Sequence, residues 1–371
     1  MAAPCIPRSK LWDTVRETIK PALRAAAGRR LYAALTGKAH WTLVFLNYLA
    51  MRHPWLGRLL GSGAWPESLF IEGTNICSAR CVFCAYPQME RPKQVMTMEL
   101  FEKTIAQYAA AGGGDVDLTP IVGDPFADRF LFERLDALAA LPGIRRFHFF
   151  TNAILMTPAT HARLAAYGER IFIYVSLGGF DRETYRRIMG VDRFDEAAAN
   201  LRGLIETKRR TGSRLGIQVN LRVPPGSARG GFWDELVRAR RDGLIAIESL
   251  EAFDSWAGKI SESGLKAAGL KALAAPEKIG PCHRLITSPV VLADGRVNAC
   301  ACRDVEASLI IGDLNRQTIG EALDSAELHA LLERQARGDF PEVCRRCTYY
   351  ASLYPGWLRA TLFPLFSRLF R

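Results

Sequence analysis

Eight of the nine cysteines fall into two groups, and the first group has a spacing that favours metal chemistry. It consists of Cys77, Cys81 and Cys84. In a cytosolic chain, cysteines this close together are more often metal ligands or redox groups than structural disulfides. Structural zinc usually takes four protein ligands, whereas three thiolates suit an iron–sulfur cluster whose fourth iron binds another molecule. The alternative, three small buried hydrophobic side chains, leaves the regular spacing unexplained.

The elements that must position these thiols alternate between strand and helix from residue 67 onward. The predicted strands are Leu69–Gly73, Val116–Val122, Arg146–Thr151, Ile171–Leu177, Leu215–Val223 and Leu244–Glu251. The predicted helices are Met98–Ala111, Phe130–Leu141, Pro158–Tyr167, Asp195–Thr211 and Trp233–Asp242. This order predicts an α/β fold with a parallel sheet, a partial (β/α)6 barrel of the TIM type. Chemistry then belongs at the C-terminal ends of the strands.

The motif Cys-x3-Cys-x2-Cys after the first strand resembles the signature of the radical S-adenosylmethionine (SAM) enzymes, and the resemblance extends over residues 71–350. It implies that Cys77, Cys81 and Cys84 hold a [4Fe–4S] cluster and that SAM chelates the open iron. In that family, one electron then splits SAM into methionine and a 5′-deoxyadenosyl radical, which abstracts hydrogen from the substrate. A flavodoxin or a ferredoxin is the implied electron donor.

The resemblance also implies SAM-binding positions in the loops and at the strand ends. The matching residues are Phe83, Gly123, Asp124, Pro125, Asn152, Ser176, Asn220 and Arg222. Phe83 occupies the aromatic position near adenine. The Gly123-Asp124-Pro125 loop, predicted to close the second strand, resembles the Gly-Gly-Glu loop for the methionine amino group, although one glycine is missing and Asp replaces Glu. Single polar residues at strand ends are often caps, so their joint placement carries more weight.

The second group has an order similar to the auxiliary-cluster regions called SPASM and twitch. Its members are Cys282, Cys300, Cys302, Cys344 and Cys347. An Asp-Gly pair at 294–295 predicts a hairpin with Cys300 on its second strand. All members except Cys302 would complete one auxiliary [4Fe–4S] cluster, or alternatively a structural zinc site. The spacing resembles that of 2-deoxy-scyllo-inosamine dehydrogenase, which oxidises an alcohol of an aminocyclitol. We expect Cys5 to be inert.

Charge is concentrated at the two ends of the chain. The net charge is +11, of which residues 1–70 contribute +7 and residues 351–371 contribute +3. The nearly neutral middle argues against a nucleic-acid partner. The stretches 41–49 and 357–370 combine basic residues with Trp, Phe and Leu, so we expect amphipathic helices that pack on the body; the alternative is peripheral contact with an anionic membrane.

Composition and charge also suggest domains and location. The predicted divisions are a basic helical extension (1–66), the barrel (67–253), the auxiliary-cluster region (254–350) and an amphipathic tail (351–371). Hydrophobic residues at 49% and charged residues at 23% exclude a mostly disordered chain and a collagen-like repeat. No apolar run reaches the ~18 residues typical of a membrane span, and we find no secretory signal. The expected location is the cytoplasm.

Three outcomes of hydrogen abstraction fit these observations. The first is dehydrogenation of a hydroxylated sugar or cyclitol, with the auxiliary cluster as electron acceptor, and it is our expectation. The second is epimerisation with Cys302 as hydrogen donor, and the third is modification of a peptide. A zinc- or cluster-binding protein and an electron carrier are the non-enzyme alternatives. The candidate substrate-orienting residues are Tyr174, Arg222, Glu251, Asp254 and Trp256.

Overall fold

The computed structural model describes residues 42, 44–53, 66, 68–119, 121–226 and 230–354. The strands are β1 Ser68–Ile71, β2 Gly114–Asp117, β3 Ile144–Thr151, β4 Ile171–Leu177, β5 Gly216–Leu221, β6 Ala246–Ser249, β7 Val290–Val291, β8 Arg296–Asn298 and β9 Ile310–Asp313. The first helices are α1 Met98–Ala110, α2 Leu131–Ala140, α3 Pro158–Ala166, α4 Arg182–Met189, α5 Phe194–Thr211 and α6 Gly231–Arg241. The later helices are α7 Glu262–Ala267, α8 Arg284–Thr287, α9 Ile319–Leu323, α10 Ala326–Ala336 and α11 Glu342–Arg346.

These strands form one open sheet in the order β6-β5-β4-β3-β2-β1-β7-β8-β9. Neighbours from β6 to β7 run parallel, whereas β7, β8 and β9 pair antiparallel. Strands β1 to β6 with their helices are the expected partial barrel, which confirms the predicted fold class. Parallel strands place all their C-terminal ends at one edge, so the loops after β1 to β6 meet there.

The two faces of the barrel strands differ in burial, as β4 illustrates. Ile171, Ile173, Val175 and Leu177 are buried in the core, while Phe172, Tyr174 and Ser176 between them are half-buried. This alternation follows from the two-residue period of a strand. The half-buried face is the inner face of the open barrel, and Ser176 lies on it near the C-terminal edge.

The auxiliary-cluster region extends the same sheet beside β1. Phe70 and Ile71 of β1 pair in parallel with Val290 and Val291 of β7. The predicted Asp-Gly hairpin is confirmed, because β7 and β8 pair antiparallel across it and Gly295 has φ 91°. Cys300 was expected on the second hairpin strand, but β8 ends at Asn298 and Cys300 follows it in the loop.

One other local expectation was wrong. The second strand ends at Asp117, so Gly123, Asp124 and Pro125 lie in the loop beyond it and do not close it. The reason is local: the Asp117 carboxylate accepts the Thr119 N–H at 2.8 Å, which turns the chain out of the ladder. Helix α4 was not predicted, although the Asp181 side chain caps it and Gly190 ends it at φ 70°.

The N-terminal residues described by the structure pack on the body. Residues 44–52 are helical, and Val44 and Tyr48 are buried in the core. Phe45 contacts Tyr354 edge-on, with ring centroids 6.1 Å apart. The expectation that this segment packs on the body of the protein is therefore confirmed for residues 44–52. The described residues do not include Cys5, most of the predicted N-terminal extension or the stretch 357–370. The domain divisions stay predictions.

Within the part of the chain that the structure describes, none of the helices combines the length and the apolarity that crossing a bilayer requires.

Candidate active site

The first cysteine group lies in the loop after β1, and α4 holds this loop in place. The backbone N–H groups of Arg80 and Val82 donate to the carbonyl oxygens of Met189 and Ile188, each at 3.0 Å. Gly190 permits this close approach, because a Cβ there would lie 2.2 Å from the Arg80 carbonyl oxygen. A larger residue at 190 would therefore displace the cysteine loop.

The three thiols of this loop are buried enough to favour their neutral form. Burial raises the pKa of Cys77 to about 12 and also raises the pKa values of Cys81 and Cys84. Cys81 lies within electrostatic range of both other thiols, since each raises its pKa further. Three soft sulfur donors in one loop fit iron, and binding must release their protons.

Two of the predicted SAM-binding residues, Asn152 and Arg222, lie against this loop, and two more, Ser176 and Asn220, lie on the strands beside Arg222. The Asn152 Nδ2 lies 3.7 Å from the Cys77 Sγ and donates to the Ser78 Oγ at 3.1 Å. Ser176 and Asn220 are paired neighbours on β4 and β5. The guanidinium of Arg222 donates to the Ser176 Oγ at 2.7 Å.

Arg222 has unused hydrogen-bonding capacity at this edge. Its Nε is buried and has no hydrogen-bond partner among the described residues. The guanidinium lies 5.0 Å from the centre of the Phe83 ring, and its charge opposes the rise in pKa that burial causes at Cys81 and Cys84. Burial lowers the pKa of Arg222 itself to about 10. An anionic group bound here would restore the solvation that this cation has lost.

Asp124, by contrast, has its carboxylate committed to the protein. Oδ2 accepts from the Asn152 N–H at 2.8 Å and from the Thr151 hydroxyl at 3.0 Å, and Oδ1 accepts from the Phe126 N–H at 3.0 Å. Burial raises the pKa of Asp124, while these hydrogen bonds oppose the shift. The side chain therefore holds the loop beyond β2 against the end of β3.

The second cysteine group lines a single cavity. Its five members are Cys282, Cys300, Cys302, Cys344 and Cys347. Burial raises the pKa of Cys282 to about 11 and raises the pKa values of Cys344 and Cys347. Neither in this cavity nor elsewhere among the described residues do three His, Cys, Asp or Glu side chains come close enough together to hold a single metal ion. A four-iron cluster holds its cysteines farther apart than one ion does, and five thiols around one cavity fit such a cluster.

Cys302 differs from the other cysteines of this cavity. A side-chain hydrogen bond with Cys300 lowers the pKa of Cys302, and the nearby Arg284 and Arg303 guanidinium groups lower it further. The Arg284 Nη1 lies 3.4 Å from the Cys302 Sγ. Both arginines also lie 4.3 Å from the centre of the Tyr349 ring, measured from Cζ. The cavity is thus cationic around its thiols.

A hydrogen-bonded chain connects the two cysteine regions. The Trp256 Nε1 donates to the Phe83 carbonyl oxygen at 2.8 Å, and the Trp256 N–H donates to the Asp254 Oδ1 at 2.9 Å. The same Oδ1 accepts from the Arg303 Nε at 2.5 Å, and the Arg303 Nη1 donates to the Cys302 carbonyl oxygen at 2.6 Å. Trp256 has φ 48°, a strained value for a bulky residue. We call Asp254, Trp256 and Arg303 the inter-cysteine bridge.

A second connection joins residues that flank the first cysteine group to the auxiliary-cluster region. Arg91 forms a bidentate ion pair with the buried Glu72, at 2.9 and 2.7 Å, and its Nε donates to the Val305 carbonyl oxygen at 2.6 Å. Glu306 accepts from the Arg91 N–H at 3.2 Å and from Lys259 at 2.8 Å. The first cysteine loop is therefore fixed to the auxiliary-cluster region at two places.

The residues expected to orient substrate have different environments. Asp254 and Trp256 belong to the bridge, and Arg222 lies beside Phe83. Tyr174 is on the inner face of the barrel, where it stacks on Phe150 with ring centroids 4.5 Å apart. Glu251 is exposed. Sequence reasoning missed Arg303, whose only sequence signal is a position next to Cys302.

Comparison with known families and proteins agrees with this geometry. A family described as the radical SAM superfamily matches residues 71–218, and the SPASM iron–sulfur cluster-binding domain matches residues 282–348. A GTP 3′,8-cyclase of Stenotrophomonas maltophilia (strain K279a) is 31% identical over 135 residues, which is 34% of this chain and 39% of that protein. A probable GTP 3′,8-cyclase of Saccharolobus islandicus is 31% identical over 143 residues, or 38% of this chain and 44% of that protein. The chain thus spans less than half the length of these relatives.

Two solved structures share the fold. BtrN in complex with AdoMet and 2-DOIA has a TM-score of 0.52 and 14% identity, over 78% of this chain and 95% of that one. Streptococcus suis SuiB bound to the precursor peptide SuiA has a TM-score of 0.54 and 16% identity, over 76% of this chain and 70% of that one. The chain therefore carries a radical SAM domain over residues 71–218 and a SPASM iron–sulfur cluster-binding domain over residues 282–348, which together imply an enzyme that uses a [4Fe–4S] cluster, SAM and an auxiliary iron–sulfur cluster.

Proposed function

We propose that this enzyme dehydrogenates a hydroxylated small molecule of the sugar or cyclitol type, with one auxiliary cluster as the electron acceptor. In this proposal Cys77, Cys81 and Cys84 hold the SAM-binding cluster. Cys282, Cys300, Cys344 and Cys347 hold the auxiliary cluster. When bound, the first cluster and SAM supply reductive carbon–sulfur bond cleavage and hydrogen-atom abstraction.

The observation that carries the site assignment is the environment of Arg222. Its buried Nε lacks a partner among the described residues, and its guanidinium lies beside Phe83 and Ser176 and within electrostatic range of Cys81 and Cys84. A carboxylate such as that of the SAM methionine moiety would accept from this Nε. Asn152 would orient Cys77, because its amide contacts the sulfur directly.

The choice of dehydrogenation rests on the inter-cysteine bridge. Oxidation of a secondary alcohol to a ketone removes one hydrogen atom, one proton and one electron in total. The bridge joins the backbone of Phe83 to that of Cys302, so it holds the proposed electron acceptor at a fixed position relative to the first cysteine loop. Its side chains are largely buried, with Asp254 10% and Arg303 20% exposed, so they also limit the access of water.

The substrate class is supported by the inner face of the barrel. Tyr174 and Phe150 present a stacked aromatic surface, and Gln218 donates to Glu248 at 2.7 Å on the neighbouring strands. Polar hydrogen-bonding groups beside aromatic rings suit a molecule with hydroxyl groups and an apolar ring face. The fold neighbour BtrN was crystallised with 2-DOIA and AdoMet, which is consistent with a small substrate.

Epimerisation is the second candidate, and the position of Cys302 favours it. Its thiol lines the auxiliary cavity without an assigned ligand role and contacts Arg284. A hydrogen atom donated by this thiol to the opposite face of a substrate radical would invert the carbon. An electron donor of the flavodoxin or ferredoxin type, a cytoplasmic location and peripheral membrane contact of the chain ends are further parts of this proposal that need their own tests.

The test is anaerobic reconstitution of the full chain followed by iron, sulfide and SAM-cleavage assays. We expect about eight irons per chain, four for each [4Fe–4S] cluster. The triple variant Cys77→Ala, Cys81→Ala and Cys84→Ala should keep about half of this iron and lose SAM cleavage. Cys344→Ala should keep SAM cleavage. A triple variant that cleaves SAM would refute the assignment.

Substrate class and reaction type are tested on the same preparation. Candidate amino- and hydroxycyclitols, sugars and short peptides are incubated with the reconstituted enzyme and reductant in deuterated solvent. Loss of two mass units from a polyol supports dehydrogenation. Deuterium at a product carbon without loss of mass supports epimerisation, and a modified peptide with unchanged polyols would overturn the substrate proposal.

A further inference from the structure

Gln335 is a fully buried amide on α10 that contacts two cysteines of the auxiliary cavity. Its Oε1 accepts from the Cys282 backbone N–H at 2.8 Å, and its Nε2 donates to the Cys344 Sγ at 3.2 Å. Its exposed fraction is 0%. One side chain therefore fixes two thiol-bearing segments that are far apart in the sequence.

The helix pattern indicates that this amide is not there for packing. Leu328, Leu331, Leu332 and Gln335 are the buried residues of α10, at the spacing of one helix face. A leucine would continue this apolar stripe. Burying an amide instead is unfavourable unless both its donor and acceptor are paired, and here both are paired to the cysteine segments.

We propose that Gln335 is a positioning residue for the auxiliary cluster and that its hydrogen bond to the Cys344 sulfur raises the reduction potential of that cluster. The inference rests on the proposed ligand roles of Cys282 and Cys344. Sulfur ligands carry more negative charge when the cluster is reduced, so a donated N–H stabilises the reduced state more than the oxidised one. A higher potential makes the cluster a better acceptor for an electron from substrate.

Charged groups around the same cavity act on the potential as well. Arg284 and Arg303 lie near Cys302, Arg334 lies within electrostatic range of Cys344, and Asp254 and Asp304 lie within electrostatic range of Cys347 and Cys344. All of these groups stay in place in the variants below. Because Gln335→Leu adds no charge, a change in its potential can then be assigned to the amide.

The experiment uses the full chain with Cys77, Cys81 and Cys84 replaced by alanine, so that the auxiliary cluster gives the iron signal. Gln335→Leu removes both hydrogen bonds. Gln335→Glu keeps an acceptor for the Cys282 N–H but, when ionised, cannot donate to the sulfur. Gln107→Leu is the matched control, because Gln107 accepts the Ile319 N–H at 2.9 Å from another helix.

Each variant is reconstituted, its iron is counted, and its reduction potential is measured by a titration followed by electron paramagnetic resonance. We expect Gln335→Leu to keep its iron and to shift to a more negative potential, with a larger shift for Gln335→Glu and none for Gln107→Leu. A loaded Gln335→Leu or Gln335→Glu cluster with the parent potential would overturn the inference. If Gln335→Leu loses its iron, Gln335→Met, which also removes both hydrogen bonds without adding a charge, supplies the potential. A parent without auxiliary iron would instead refute the proposed ligand set, and this inference with it.

Discussion

Removing the Arg303 side chain should destabilise the folded protein strongly, because it leaves one half of a buried ion pair without its partner. The Arg303 Nε lies 2.5 Å from the Asp254 Oδ1, and the two side chains are 20% and 10% exposed. Burial lowers the pKa of Arg303, but Asp254 and Cys302 outweigh this and raise it. The folded state therefore depends on the charged pair.

The magnitude follows from the contacts that each variant leaves. Arg303→Met strands the Asp254 carboxylate, which for a buried pair costs about 3–5 kcal/mol. It also removes the Nη1 bond to the Cys302 carbonyl and the stacking of the guanidinium on Trp256, 4.5 Å away. Asp254→Asn keeps an oxygen for the Trp256 N–H and leaves the cation stacked, so we expect a smaller loss of about 1–3 kcal/mol.

Urea unfolding of the metal-free full chain, followed by tryptophan fluorescence, measures these losses. The control is Arg334→Met, which breaks an ion pair of similar geometry at 2.7 Å between Nε and the Asp339 Oδ2, with side chains 47% and 61% exposed. Exposed pairs contribute little, so this variant should unfold like the parent. Equal unfolding midpoints for Arg303→Met and Arg334→Met would show that the inter-cysteine bridge does not hold the two regions together.

Three further predictions concern the sites themselves. Arg222→Met should weaken SAM binding roughly 10- to 150-fold in equilibrium dialysis, the loss expected for one hydrogen bond to a charged group, whereas unchanged binding would remove Arg222 from the SAM site. Burial raises the pKa of Cys77 from 9.0 to about 12, so the protonated thiol stabilises the metal-free fold below pH 9 and this contribution is lost as the pH rises toward 12. The midpoint of urea unfolding should therefore fall over that pH range in the parent protein and fall less in Cys77→Ser. Parallel pH profiles of the two proteins would contradict this prediction. Cys302→Ala should retain product formation if the reaction is dehydrogenation, and complete loss of product with the auxiliary iron intact would favour epimerisation.

The strands and helices of the barrel could be predicted from the sequence because the patterns that indicate them are local. The alternation of β4 and the apolar periodicity of α5 each lie within one element, and Ile171–Leu177 was predicted to the residue. The cysteine spacings were equally local. The Asp-Gly turn required a residue with positive φ, and Gly295 supplies it at 91°.

What the sequence could not reveal were contacts between distant segments. The pairing of β7 beside β1, rather than beyond β6, joins residues more than 200 positions apart, and no turn signal specifies it. The Asp124 carboxylate looked available for a ligand, yet the N–H groups that occupy it come partly from the end of β3. Gln335 gave a weak signal, an amide in an apolar stripe, but its meaning depends on Cys282 and Cys344.

The strain in the inter-cysteine bridge indicates what this loop is for. Trp256 and Ala257 have φ values of 48° and 54°, which cost free energy for residues other than glycine. Such strain persists only where surrounding contacts fix the backbone, and here those contacts run to Phe83 on one side and to Arg303 on the other. A loop that served only to link β6 to α7 would relax this strain with glycine. The chain instead keeps a tryptophan whose indole N–H reaches the first cysteine loop, so the bridge ties the loop after β6 to both thiol-bearing regions.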